Sequence, residues 1–183
     1  MGTRAGAVAW IASAVGYVVV ETVAAAAIPG YDYARDYISD LGRPDISPRA
    51  ALMNAAFVAQ AVAFPLGAFL VARPRKAVPF KVFALANGVG NLLVATVHSG
   101  TGAPAHAVGA ALAVVGGNAA ILAFGVAQRS RASVVAGVVG LLTFGLFALG
   151  VHPVGAWERA SVYAIYLWQA VGGVLIIRRS GTD

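Results

Sequence analysis

The stretch Ala5–Ile28, AGAVAWIASAVGYVVVETVAAAAI, decides the fold: over 24 residues it carries one charge, Glu21, and no polar face. A helix rises 1.5 Å per residue, so crossing a hydrocarbon core of about 30 Å takes roughly 20 apolar residues. A secretory leader is the other reading of an apolar run near an N-terminus, but its apolar region spans only about 7–15 residues. The length of this run and Glu21 within it favour an uncleaved transmembrane helix.

Outward from that stretch, five more runs of similar character follow at Ala50–Ala72, Phe80–His98, His106–Ala127, Ser133–Val151 and Ala160–Ile177. No polar segment between them is long enough for a second, soluble domain. The expectation is an all-α integral membrane bundle of six transmembrane helices, a single domain over residues 1–183. Composition agrees: the chain is 60% hydrophobic and 11% charged with a mean hydropathy of +0.80, where soluble domains carry about 25% charged residues. The chain has no cysteine, which excludes disulfides, a thiolate nucleophile and Cys-ligated zinc or iron–sulfur centres.

The net charge of +6 does not point to nucleic acid, because the basic residues sit in short clusters between apolar runs rather than on a face with interleaved aromatics. They read as topology signals. Arg4, Arg73, Arg75, Lys76, Lys81, Arg129, Arg131, Arg178 and Arg179 fall on one side of the six spans; Arg35, Arg43, Arg49 and Arg159 fall on the other. The positive-inside rule makes the first side cytoplasmic, with both termini there. Arg outnumbers Lys and Ala, Val and Gly dominate, an association that suggests a GC-rich bacterial genome. Small residues at Ala12/Gly16, Ala136/Gly140, Gly116-Gly117 and Gly172-Gly173 suit close helix packing.

Once the topology is drawn, the polar chemistry collects on the outer side. Glu21 lies in the outer half of the first span, and an ionisable residue there marks a candidate site that needs a partner. Asn87, Asn91 and His98 recur at helical spacing and form one stripe. That stripe lines either a polar cavity opening outward or a set of hydrogen bonds to neighbouring helices. Three histidines, His98, His106 and His152, with Asp40 provide the residue types for a zinc ion with an open position for water. The alternative is interfacial histidines bonded to loop carbonyls. A single outer haem is a further option; a two-haem arrangement would need histidines at both faces. Ser39-Asp40 with a histidine could also make a hydrolytic site, although no Gly-x-Ser-x-Gly turn is present. The loop Pro29–Gly42 is rich in tyrosine and aspartate and fits either a lid or an aromatic belt, with Asp36, Tyr37 and Asp40 on one side of a short interfacial helix.

The segments Pro29-Gly-Tyr-Asp, Tyr37-Ile-Ser-Asp-Leu-Gly42, Met53-Asn-Ala-Ala-Phe57 and His152-Pro with Glu158-Arg159 resemble a family of bacterial and archaeal membrane proteins known as domain-of-unknown-function family 998. The resemblance covers most of the chain and implies a six-helix fold in a bacterial or archaeal plasma membrane. It singles out Ser39, Asp40, Gly42, Asn54, Phe57, His106, His152, Glu158 and Arg159, and implies no established reaction. The Ile-Ser-Asp-Leu-Gly segment is also similar to the Ile-Ser-Asp-Thr-Gly segment of the DRAM, Frag and Sfk membrane proteins, which implies lipid or lipid-anchor handling. In residue types alone, Ser, Asp and three His, the chain resembles the intramembrane ceramidase and adiponectin-receptor group, whose members have seven helices.

The leading expectation is therefore an outward-facing polar pocket that binds, or with a metal hydrolyses, a lipid or headgroup. Asp40, His106, His152 and Glu158 would be catalytic, with Glu158 as acid/base; Glu21, Ser39, Asn54, Asn87, Asn91 and Arg159 would bind ligand. A second expectation is a non-catalytic subunit of an envelope or respiratory assembly, packed on a membrane-protein partner or a second copy. Transport is a third, with Gln60 and Asn118 as the polar groups available deeper in the bundle.

Overall fold

The computed structural model describes residues 2–72 and 77–179. Arg73, Arg75 and Lys76, which enter the charge pattern, lie outside the described residues. Among those described, six helices are long and apolar enough to cross a membrane: α1 Gly2–Ala26, α2 Ala50–Val71, α3 Val78–Thr96, α4 Pro104–Gln128, α5 Arg131–Ala148 and α6 Val154–Arg179. Without water to satisfy peptide groups, each apolar run must close its own backbone hydrogen bonds, which a helix does. Local signals set the starts. Pro79 and Pro104 occupy first-turn positions of α3 and α4, where a missing N–H costs nothing, and the Ser130 hydroxyl caps α5 by accepting from the Ser133 N–H at 3.3 Å.

Two boundaries differ from the sequence reading. α6 starts at Val154, six residues earlier than the apolar run beginning at Ala160, so Glu158 and Arg159 stand inside the helix rather than in the preceding loop. Hydropathy excluded them because they are charged; the helix accommodates them because both are bonded within the protein, as described below. His98 lies two residues beyond α3 instead of ending it. The first loop holds only a short 3-10 turn at Ile38–Gly42, not an interfacial helix over residues 36–40.

Each helix packs on its successor, α6 closes against α1, and α4 also touches α6. Gly2, Ala72, Ala77, Arg129, Ser130 and Arg179 lie at the helix ends that gather at one end of the bundle, called here the terminal end. Residues 27–49, 97–103 and 149–153 form the other, the loop end. Small residues bring backbones together at α3–α4, where a Cβ on Gly116 would sit 2.8 Å from the Asn87 nitrogen, and at α2–α3, where one on Gly88 would sit 2.7 Å from the Ala61 carbonyl. Gly16 and Gly172 face open space instead.

The interior has two apolar halves separated by polar bonds. In the terminal half Trp10, Phe64, Phe80, Phe124 and Trp168 interlock, with Trp10 and Trp168 ring centres 5.2 Å apart and Phe124 and Trp168 5.1 Å apart. In the loop half Tyr17 stacks on Tyr166 at 4.0 Å. Between α1, α2 and α6, Ser13 donates to the Gln60 amide oxygen at 2.7 Å and Gln60 donates to Gln169 at 3.0 Å. Such interhelical hydrogen bonds contribute about 0.6 kcal/mol each on average, up to about 1.7.

Candidate functional site

The loop-end polar residues are organised around Arg159 of α6. The connection between α1 and α2 is curled on itself: Asp36 accepts from the Asp32 N–H at 2.8 Å, and Asp32 accepts from the Ala34 N–H at 2.8 Å. The curl aims the carbonyls of Tyr33 and Asp36 at α6, where Arg159 Nη1 donates to them at 2.6 and 2.8 Å. Its Nε donates to Glu21 Oε1 at 3.0 Å, and its Nη2 to the Tyr31 hydroxyl. The guanidinium also lies 4.8 Å from the Tyr33 ring centre and 5.4 Å from that of Tyr31. The second oxygen of Glu21 accepts from the Tyr163 hydroxyl at 3.0 Å. Glu21 is 1% exposed and Arg159 5% exposed. An unpaired buried charge at this depth would be costly; this pair is joined and hydrogen-bonded on its remaining atoms, the condition under which burial is tolerated.

Neighbouring motif positions fasten the same segment. Glu158 Oε2 accepts from the Ile38 N–H at 2.7 Å, and the Ala156 N–H donates to the Ala34 carbonyl at 3.0 Å. A Cβ on Gly155 would lie 2.5 Å from the Asp36 carbonyl, so only glycine lets the loop sit this close to α6. Asn54 of α2 donates to the Gly42 carbonyl at 2.9 Å, and a Cβ on Gly42 would meet the Asn54 side chain at 2.5 Å. The Tyr31 hydroxyl, held protonated because burial raises its pKa against the opposing pull of Arg159, donates to the Tyr37 carbonyl at 2.9 Å while accepting from Arg159. The whole forms a polar clamp between α1, α6 and the loop.

Asp40 and Ser39 sit half-buried in the 3-10 turn. Burial raises the Asp40 pKa, and Arg43, whose guanidinium lies 3.5 Å away, pulls it back down. Arg43 also holds Asp45 at 2.6 Å, and that hydrogen bond keeps the Asp45 carboxyl below the ordinary carboxylate range. The histidines stand apart in role. His106, in the first turn of α4, has Nδ1 2.7 Å from the Val97 carbonyl and ties α4 to the end of α3. His98 is half-buried with Nδ1 lacking a hydrogen-bond partner, and His152 is exposed. Among the described residues, no three His, Asp or Glu side chains gather as a metal would require. Asn87 and Asn91 bond locally: Asn87 donates to the Ala113 carbonyl of α4 at 2.6 Å, and Asn91 to the Asn87 carbonyl at 2.9 Å.

A second feature lies on the flank, between α5 and α6. It is a groove of about 1070 Å³, walled by Ala136 and Val139 of α5 and by Ala164, Leu167, Val171 and Leu175 of α6, with Trp10, Phe124 and Trp168 lining it from the aromatic core. Gly172 lines it too and leaves open space where a side chain would be. The Trp168 indole donates to Ser133 Oγ at 2.9 Å, which fixes the aromatic wall to α5. At the terminal end the lining turns polar with Gln128, Ser130, Arg131 and Arg179. Toward the loop end it reaches Tyr163, the residue bonded to Glu21, so the groove and the clamp share one side chain.

Sequence reading finds Glu21, Glu158, Arg159 and Asn54 but not their pairing; it gives Tyr31 only as part of a tyrosine-rich loop and does not find Tyr163. It missed the groove as well, because the side chains of α5 and α6 that wall it are nearly all apolar, and in a membrane helix periodicity cannot distinguish a packed apolar face from an open one. The only available signal was the small-residue set at Ala136, Ala160, Ala164 and Gly172. No curated protein and no solved structure matches the chain. A family model does, over residues 10–175, from Trp10 in the groove's lining to Leu175 in its wall, with the entire clamp between them. The chain therefore belongs to the family described as Protein of unknown function (DUF998).

Proposed function

We propose that this is a lipid-binding protein of a bacterial or archaeal plasma membrane, with both termini cytoplasmic, that holds hydrocarbon in the groove between α5 and α6. The observation that carries the reading is the groove itself. Its volume of about 1070 Å³ lies just above the roughly 300–1,000 Å³ typical of small-molecule sites, and its walls are alanine, glycine and aliphatic side chains over an aromatic core. In a bilayer an open apolar cleft is filled by lipid chains. In this reading the clamp is a fastening device: Arg159, Glu21 and Glu158 each hold the loop or one another, and His106 holds a loop carbonyl. Metal-assisted hydrolysis by Asp40, His98, His106 and His152 is correspondingly not favoured, since among the described residues no three His, Asp or Glu side chains gather.

Native mass spectrometry of protein released from mild detergent tests the proposal. Wild type should carry lipid adducts, and Ala164→Phe, which fills the groove, should lose at least ten-fold of them while unfolding at nearly the same temperature. Adducts unchanged by Ala164→Phe would contradict it. Orientation is testable separately because the chain has no cysteine: Asp45→Cys should react with an impermeant maleimide in intact cells, and Gln128→Cys only after permeabilisation.

A second reading, packing on a partner, draws on α5 and the residue after it: Val135, Leu142 and Leu149 are 60%, 65% and 81% exposed. Stoichiometric co-purification of one membrane protein, lost on Leu142→Ser, would favour it over lipid.

A further inference from the structure

We infer that the ligand held between α5 and α6 is a long-chain lipid alcohol, with its hydroxyl donating to the Tyr163 oxygen at the loop end of the groove. This rests on the groove being a lipid site and adds the chemical class of the lipid.

Position comes first. Tyr163 lies nine residues beyond Val154, the start of α6, about 14 Å along the axis at 1.5 Å per residue. Among the described residues that line the groove from Ala160 to Leu167, only Tyr163 carries a polar side chain. From Ala164 to Leu175 the α6 lining runs on for about 17 Å, more than half of a hydrocarbon core of about 30 Å. It is apolar there apart from the Trp168 N–H, which is taken by Ser133. A long tail therefore fits below Tyr163.

Chemistry comes second. The Tyr163 hydroxyl donates to Glu21 Oε2 at 3.0 Å, and Arg159 Nε donates to the other oxygen of Glu21 at 3.0 Å. Glu21 is thus a carboxylate with no proton to give, and the Tyr163 proton is committed to it. What Tyr163 has left for a ligand is oxygen lone pairs. A group answered there must donate. A hydroxyl does so, whereas an ester carbonyl, an ether oxygen or a phosphodiester only accepts and would also face the negative charge of Glu21 behind Tyr163. A charged ammonium would need a counter-ion, and Glu21 is already neutralised by Arg159. In hydrocarbon a hydroxyl without an acceptor is costly, which makes Tyr163 its stopping place. A partner's transmembrane helix, whose backbone donors are satisfied within the helix, would leave that oxygen unused.

The experiment reconstitutes the purified protein into phosphatidylcholine vesicles holding equal amounts of geranylgeraniol and its methyl ether, re-extracts it in mild detergent, and counts retained lipids by native mass spectrometry. Wild type should retain the alcohol over the ether by about five-fold, the ratio set by one hydrogen bond. Tyr163→Phe keeps the ring and removes the oxygen, and should retain the two equally with the total unchanged. Tyr31→Phe, which takes a clamp hydroxyl away from the groove, should keep the wild-type ratio, and Ala164→Phe should abolish retention of both. Equal retention by wild type, a preference that survives Tyr163→Phe or is lost equally in Tyr31→Phe, or phosphatidylcholine displacing both probes overturns this inference and leaves the groove as a lipid site. Retention of no lipid above the Ala164→Phe level, or a protein partner in its place, overturns the lipid reading itself. The wild-type ratio is decisive even where Tyr163→Phe folds poorly.

Discussion

Glu21 and Arg159 at the loop end are 1% and 5% exposed and bonded on nearly every polar atom, whereas Leu142 on α5 and Leu149 just beyond it are 65% and 81% exposed. One region has polar groups that have found partners; the other has apolar surface that has not. In water the second would be the anomaly, but in a bilayer the first is, because charge is what lipid rejects and exposed hydrocarbon is what it solvates. Residues that attract attention in the sequence because they are charged are therefore the ones used to hold the fold, and the surface open to a ligand is built from residues with no individual signature.

The comparison breaks most easily at Arg159. Arg159→Met leaves Glu21 buried without its cation and frees the Tyr33 and Asp36 carbonyls, and should lower unfolding free energy by about 3–5 kcal/mol, read as a large fall in thermal midpoint in detergent. Glu21→Gln in the same chain should recover part of that loss, since no charge is then stranded. If Arg159→Met is instead neutral for stability and abolishes an activity, the clamp is a site. A smaller effect is expected in the polar bonds between the two halves of the core: Gln60→Leu removes bonds to Ser13 and Gln169 and should cost about 1 kcal/mol. His106→Ala loses one bond to Val97 and should cost about 0.5–1.5 kcal/mol. His152→Ala, at an exposed position, should stay within about 0.5 kcal/mol of wild type.

The smallest effect is in pH dependence at the rim of the clamp. Burial raises the Asp40 pKa, so on acidification the folded protein takes up that proton before the unfolded chain does, and stability rises slightly. The Asp45 pKa is lowered by Arg43, so its contribution is present above the ordinary carboxylate value and is lost as pH falls through the depressed one. Carboxyl NMR titration should show Asp40 protonating at the higher pH; the reverse order would mean that Arg43 serves Asp40 and not Asp45.

The six helices were legible because a span needs only length and hydropathy, both of which survive in a one-dimensional string. Glu21 was legible as a site needing a partner for the same reason, that charge in a span is rare. Its partner is not, since Arg159 lies 138 residues away and its own charge depresses the local hydropathy, so that the apolar run starts only at Ala160. The histidines give residue types without geometry: nothing in the spacing of His98, His106 and His152 shows that one holds a carbonyl, one has a buried Nδ1 without a hydrogen-bond partner and one is exposed. The motif residues Gly42 and Asn54, together with Gly155, let a loop backbone approach two helices closely.

The account's central claim is that ligand is held on the α5–α6 flank and that the loop-end histidines do not hold it. Lipid occupancy measured side by side in His106→Ala/His152→Ala and in Ala164→Phe tests this most directly. Occupancy should match wild type in the histidine pair and fall at least ten-fold in Ala164→Phe. Loss in the histidine pair with full occupancy in Ala164→Phe would contradict it and return the site to the loop end.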